Sequence, residues 1–557
     1  MSILSKKNKS IANWKCKAVE RGAHIRYLRK ECNRVKQNLK KSKNKIKMLE
    51  KQLEEMSRKL NPVRSKEEEV KIALTLLVNC ALSYSAVSRV MKALSEELGV
   101  RKAPCVQTII NWNIRLSMAK VYNAADQIFS RFGGNYFLVI DSTICLGSLK
   151  IFAALAIRSD QYGQHGAAPG LQDTLCVGIA TAATWTGDSI ANLLTKVINA
   201  LGAPQAIIKD GGSDLAKATR ILDARGCKIS CIDDISHFCA NLLKRQYGDH
   251  PQLKVFLSAC GKISASFKQT ILACLAPPKV TVKSRFMNLH RLVRWADQLL
   301  KHSPKGGAKK GSILAKLREK LGELPECKGF IKLFLRDAGA LLACQEVLKN
   351  KGLSKDTHQE CKEILKAIPQ ASPVRRDFME WLNEHLEKAR KLQLEDTGML
   401  ITSDIIESFF GRIKTRGTGT MKDANRLALF APGICDGITD NDAWSVLEIS
   451  TREQQELVGH LPSVIKQRRQ ILPNPGSLNQ LESANEISSG MELICRAKKQ
   501  AKNQEKDFNS SCYENGCGPR ELAKKPIKLM EEIGSVEVVD GQDGFIPQQD
   551  LLDREAA

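Results

Sequence analysis

Apolar residues recur with a strict heptad between positions 25 and 60. Ile25, Leu28, Cys32, Val35, Leu39, Ile46, Leu49, Leu53, Met56 and Leu60 alternate at spacings of three and four, with Ser42 the polar insertion. Five heptads of this kind predict a long amphipathic helix and a coiled coil, ended by Asn61-Pro62. A helix lying singly on the body is the alternative. The period then shifts to that of ordinary packed helices. Val70 to Leu82 forms one. Ala86 to Leu98 forms a second, capped by Ser83 or Ser85 and stopped by Gly99. A third follows Pro104, where Gln107, Thr108, Asn111 and Arg115 share a polar face turned outward. This pattern predicts a helix-turn-helix unit whose second helix reads the major groove. Such helical pairs also serve as plain packing units.

After Gly133-Gly134 the pattern changes to apolar runs. Tyr136 to Ile140 is bulky throughout, as in a strand buried on both faces, and Asp141 ends it. Strands are predicted over 149–157 and 174–183, a helix over 189–201, a strand ending at Asp210, a helix over 214–224 and a short strand over 228–232. The order β-β-β-α-β-α-β is that of a ribonuclease H-like sheet, which sets its first and fourth strands side by side. From 238 to about 395 the chain reads as helix only, with breaks at Pro277-Pro278, 302–311 and Pro373. This predicts an all-α insertion in an α/β core.

The predicted divisions are a basic helix or coiled coil (1–62), a helix-turn-helix domain (66–125) and a first core part (133–237). The insertion (238–398), a second core part (399–430), a helical segment (431–474) and a flexible polar tail (475–557) follow.

At 557 residues the chain exceeds one ordinary core. With 43% hydrophobic and 26% charged residues it has a soluble protein's composition, and no apolar run suits a membrane span. The start lacks a signal-peptide core, so the expected location is the cytoplasm, in association with the nucleoid. The 18 cysteines are scattered and expected to be reduced, and Cys227/Cys231 and Cys512/Cys517 lack the second pair a zinc site needs. The net charge of +26 points to a polyanionic partner. More than half of it lies in residues 1–60, where 19 Lys and Arg face five Glu.

Three acids carry the candidate chemistry. Asp141 and Asp210 end predicted strands, and Glu407 lies in a helix from about 403 to 414. Such carboxylates can converge into an oxygen cage for two Mg²⁺ or Mn²⁺ ions, which activate a nucleophile and neutralise charge at phosphorus. Plain readings compete: a strand-end Asp is common in turns, Asp404 and Glu407 have capping-box spacing, and Asp214 rivals Asp210. Arg412 and Lys414 supply cations beside Glu407 for DNA phosphates. His237, three residues after Asp234, suits either a helix start or a contact to the scissile phosphate.

These motifs in order resemble DDE-type transposases of bacterial insertion sequences. The likeness rests on Val139-Ile140-Asp141-Ser142-Thr143, Lys209-Asp210-Gly211-Gly212-Ser213-Asp214-Leu215, Asp234-Ile235-Ser236-His237, Leu275-Ala276-Pro277-Pro278 with Arg285-Phe286-Met287-Asn288-Leu289, and 403–414. It spans about 66–430. It implies Asp141, Asp210 and Glu407 as metal-binding catalytic acids, Asp234-x-x-His237 as an accessory motif, and a double-stranded DNA partner with terminal inverted repeats. Assembly as a homodimer or larger is expected with it. The 197 residues from Asp210 to Glu407 then require the insertion, and the basic N-terminal helix falls outside the pattern. A nuclease without strand transfer and a non-catalytic DNA-binding protein are the rival expectations.

Overall fold

The heptad region is one uninterrupted helix, α1 (Ile3–Leu60), about 87 Å long at 1.5 Å per residue. The computed structural model describes residues 3–60, 64–100, 102–143, 149–166, 168–279, 286–302, 307–416, 423–459, 461, 476 and 490–497. The expected helix stop at Asn61-Pro62, the motif residue Arg285, the Cys512/Cys517 spacing and most of the predicted tail lie outside them. From Ser10 to Gln52 the residues of α1 are exposed, with Gly22 and Glu31 half-buried. The heptad seam is therefore uncovered along this stretch.

Four helices follow: α2 (Lys66–Val78), α3 (Tyr84–Ala93), α4 (Val106–Tyr122) and α5 (Ala124–Phe132). Ser65 caps α2 in a reciprocal pair, accepting from the Glu68 N–H at 3.3 Å while Glu68 accepts from the Ser65 N–H at 3.0 Å. Ser83 caps α3 by accepting from the Ala86 N–H. α3 ends at Ala93 rather than Leu98, and a short run of turns leads to Gly99 at φ +65°. α2, α3 and α4 pack on one another, burying Leu74, Val87, Met91, Ile109, Trp112 and Leu116.

Past Gly133, which takes the left-handed conformation at φ +61° and ends α5, the chain enters a mixed sheet. β1 (Tyr136–Ser142) and β2 (Lys150–Arg158) lead through a short helix, α6 (Gln161–His165), to β3 (Thr174–Ala182). α7 (Gly187–Leu201), β4 (Ala206–Lys209), α8 (Ser213–Ala224) and β5 (Ser230–Asp233) follow. The strand order is β5-β4-β1-β2-β3, with β1–β2 and β2–β3 antiparallel and β1–β4 and β4–β5 parallel. The first and fourth strands are neighbours, as their sequence order predicts. Tyr136 to Ile140 is almost wholly buried, so the run of bulky residues does mark a central strand.

The helical stretch begins with α9 (Ile235–Tyr247) and α10 (Pro251–Phe267). It continues through α11 (Leu289–His302), α12 (Ile313–Lys320), α13 (Lys328–Lys351), α14 (Lys355–Ile364) and α15 (Pro373–Lys391). Pro373 is the first residue of α15, where a missing N–H costs nothing. α13 and α15 both pack on α9. The insertion also reaches the sheet directly: His385 Nε2 accepts from the Asp233 N–H at the end of β5, at 3.3 Å.

α16 (Asp404–Arg416), α17 (Ala424–Phe430), α18 (Asp440–Glu448) and α19 (Thr451–Val458) return the chain to the core. α18 packs on α2 and α4. The buried ammonium of Lys120 on α4 pairs with Asp436 at 3.3 Å and Asp442 at 2.9 Å. The stretch from 431 thus closes over the helices that precede the sheet.

Two expectations need correction. The stretch beyond 475 is not all tail: β6 (Glu492–Ile494) adds to the free edge of β3, antiparallel, and Met491, Leu493 and Cys495 are buried. Alternate apolar residues there have the period of a strand, a cue hidden by the polar surroundings. The polar face of α4 is also not turned outward as a whole. Arg115 donates to Gln454 Oε1 at 2.8 Å and Thr451 Oγ1 at 3.0 Å, and Gln454 donates to Asn111 Oδ1 at 3.1 Å. A polar stripe facing a polar helix has the same periodicity as one facing water.

Candidate catalytic site

β1 and β4 run parallel, with Val139 opposite Ile208. Asp141 near the end of β1 and Asp210 just past β4 therefore emerge at the same edge of the sheet. Burial raises the Asp141 carboxyl to about 6, the Asp210 charge adds to the rise, and the Ser142 N–H, His237 and Lys414 oppose it. The Ser142 N–H donates to Asp141 Oδ1 at 2.6 Å. Asp210 is turned by its own loop: Oδ1 accepts from the Gly212 N–H at 2.8 Å. A Cβ at Gly212 would stand 2.8 Å from that oxygen, so glycine keeps room for the carboxylate. Asp214, the rival, lies in the first turn of α8.

His237 faces the pair from the start of α9. Its backbone N–H donates to Asp234 Oδ1 at 2.7 Å, and its Nδ1 lies 3.1 Å from the same oxygen. A carboxylate only accepts, so the proton belongs on Nδ1, and Nε2 is aimed at Asp210 Oδ2, 3.9 Å away.

Asp234 is buried and fully engaged. Its second oxygen accepts from the Ser403 N–H at 2.6 Å and from Ser403 Oγ at 3.0 Å. Burial pushes this carboxyl up, but the bonds from His237 and Ser403 outweigh it and hold it at about 2. The backbone follows the same path: the Asp234 N–H donates to Lys209 O and the Ile235 N–H to Ile401 O. One acid thus joins β4, the histidine helix and the residue before α16. Spacing alone does not reveal the role of Ser403, because the bond spans 169 residues.

α16 packs against β1. Ile405, Ile406, Phe409, Phe410 and Ile413 are buried, while Glu407 and Lys414 are half-buried and Arg412 is exposed. Lys414 lies near enough to Asp141 to favour its charged form. Glu407 is two turns earlier on the same helix, about 10 Å along its axis. Asp404 is the first residue of α16 rather than its cap, and its carboxylate pairs with Lys349 of α13 at 2.6 Å.

The fold therefore gathers Asp141, Asp210, His237 and Lys414 at one sheet edge. Among the described residues, no three His, Cys, Asp or Glu side chains are already drawn together as a cation cage. The donors at the edge fit a hard divalent ion all the same. Burial and the neighbouring Asp210 make the Asp141 charge costly, and a cation there would offset that cost. Of the residues predicted to read DNA, Gln107 is exposed, Thr108 is half-buried against Cys105, and Asn111 and Arg115 are held by α19.

No family model matches the chain, and no curated protein matches it. Among solved structures the chain is similar to the Drosophila P element transposase strand transfer complex, at 13% identity and a TM-score of 0.37. That match covers 73% of this chain and 100% of the other. No described helix is long and apolar enough to cross a membrane.

Proposed function

We propose that the chain is a transposase of the DDE type with a ribonuclease H-like core, which cuts DNA at the ends of a mobile element and joins them to a target. One observation carries the reading. Asp141 and Asp210 leave adjacent parallel strands at one edge, and the Asp210 charge adds to the cost of charging the buried Asp141.

In this reading Asp141, Asp210 and Glu407 hold Mg²⁺ or Mn²⁺. Two such ions, when bound, activate the attacking oxygen and stabilise the leaving one. Glu407 would complete the set from α16, whose start is tied to Asp234 through Ser403. His237, oriented by Asp234, presents Nε2 beside Asp210, where in the doubly protonated form of the ring it would donate to a phosphate oxygen of the scissile strand. Lys414 and Arg412 add positive charge for the flanking phosphates. Gln107 belongs to the DNA-contacting surface, whereas Asn111 and Arg115 serve packing.

The partner is double-stranded DNA, as terminal inverted repeats and as target, and the working unit is a dimer or larger. The deciding experiment incubates purified protein with labelled element ends and Mg²⁺ or Mn²⁺. Cleaved and joined products that vanish in both Asp141→Asn and Asp210→Asn support the proposal. Cleavage without joining from pre-cut ends indicates a nuclease, and full activity of either variant removes the acid pair from the chemistry.

A further inference from the structure

From Ile25 to Leu49 the heptad seam of α1 is uncovered in the single chain. Leu28, Val35, Leu39 and Ile46 expose 51%, 61%, 56% and 54% of their surfaces. A lone helix gains little from propensity alone, and an apolar stripe of this length is stabilised by burial against a partner. The charges flanking the stripe identify that partner.

We propose that α1 pairs with α1 of a second copy of this chain in a parallel, in-register coiled coil. This deepens the assembly part of the proposed function and does not depend on its catalytic part.

With Ile25, Cys32, Leu39 and Ile46 at position a, and Leu28, Val35, Ser42 and Leu49 at d, the e positions are Arg29, Lys36, Lys43 and Glu50. The g positions are Glu31, Asn38, Lys45 and Gln52. In a parallel in-register pair each g residue faces the e residue five positions later in the partner helix. The facing pairs are then Glu31 with Lys36, Asn38 with Lys43, Lys45 with Glu50. Two are opposite in charge and none is like-charged, although residues 1–60 carry a net +14 (19 Lys and Arg less five Glu). An antiparallel pair sets e against e, where Arg29, Lys36 and Lys43 bring cations together. Arg21, at the d position before Ile25, would place two guanidinium groups face to face, so the seam begins after it. In the single chain Glu31 leans on Arg34 at 3.3 Å, an exposed contact that is easily exchanged.

The register also sets Cys32 opposite its counterpart across the dimer axis, whereas Cys16, at position f, points away. Both thiols are exposed. The test uses the full-length chain. Sedimentation equilibrium at micromolar concentration should give twice the chain mass. Copper-phenanthroline oxidation should give a covalent dimer on a non-reducing gel, kept in Cys16→Ser and lost in Cys32→Ser. Glu31→Lys should weaken the dimer about tenfold, since two attractive contacts become repulsive, and adding Lys36→Glu should restore it. A monomer at these concentrations, a covalent dimer that survives Cys32→Ser, or a Glu31→Lys effect that Lys36→Glu does not reverse would each overturn the proposal. Strand-cleavage results in the acid variants leave these outcomes unchanged, so the two readings fail separately.

Discussion

Ser403 donates twice to a single carboxylate oxygen of Asp234, from its backbone N–H at 2.6 Å and its hydroxyl at 3.0 Å. The other oxygen of Asp234 takes the N–H of His237 and faces its ring. A buried acid with these bonds couples the histidine to the helix that carries Glu407.

Asp234→Asn is therefore expected to disturb both ends of this link. An amide in place of the carboxylate turns an NH₂ toward one set of donors and leaves them unpaired, at a cost of about 3 kcal/mol. Thermal unfolding should show the lower stability. Strand cleavage should fall more than DNA affinity, because His237 and α16 lose their orientation. Unchanged unfolding would deny Asp234 its joining role.

Asp141→Asn and Asp210→Asn keep size and hydrogen bonding but remove the charge that holds a cation. Each should reduce cleavage by at least about a thousandfold with DNA affinity within about twofold. Gel shift and labelled-end assays, run side by side, separate the two effects.

Gly212→Ala tests the geometry of Asp210. The added methyl would meet Oδ1 at 2.8 Å, and that oxygen is pinned by the backbone N–H of the same residue. The carboxylate must swing away. Cleavage is expected to need about tenfold more Mg²⁺, with little change in stability. A variant with the wild-type metal requirement would show that this turn does not position the acid.

Arg115→Ala distinguishes packing from DNA reading on α4. Losing the bonds to Gln454 and Thr451 should cost about 1–2 kcal/mol of stability, with sequence preference on DNA unaltered. Relaxed specificity at one base pair would instead return Arg115 to the reading surface.

His385 supplies a pH dependence of folding. It is buried, Nδ1 donates to Trp381 O at 2.8 Å, and Nε2 accepts from Asp233 N–H. Burial lowers its folded pKa to about 4, and Lys388 adds to the fall against the opposing Trp381 carbonyl, Glu384 and Asp233. The unfolded chain, with an ordinary histidine near 6.5, then binds more protons between these two values. Stability from this residue is fully present above pH 6.5 and is lost as pH falls toward 4, by on the order of 3 kcal/mol. His385→Gln should flatten that part of a denaturation-midpoint profile, and an unchanged slope would place the effect elsewhere.

Local patterns foretold much of the architecture. The bulky run at Tyr136 to Ile140 can be satisfied only by burial on both faces, so its place as a central strand was legible from composition alone. The alternation of strands and helices up to Ile232 and the helical stretch after it were legible for the same reason, because each period has one geometry that buries its apolar side. The heptad of α1 was equally plain. Whether that seam is covered is a question for a second chain, and periodicity within one chain does not answer it.

Tertiary structure alone decided which polar groups meet. Asn111 and Arg115 form an outward-looking stripe by spacing, yet α19, more than 330 positions on, takes their hydrogen bonds. Met491, Leu493 and Cys495 sit in a polar neighbourhood, yet the open edge of β3 gives their backbone a ladder to join. Ser403 carries no mark of its tie to Asp234. Hydrophobic periods act over a few residues and can be read along a chain, whereas a hydrogen bond depends on what stands within about 3 Å, and only folding sets that.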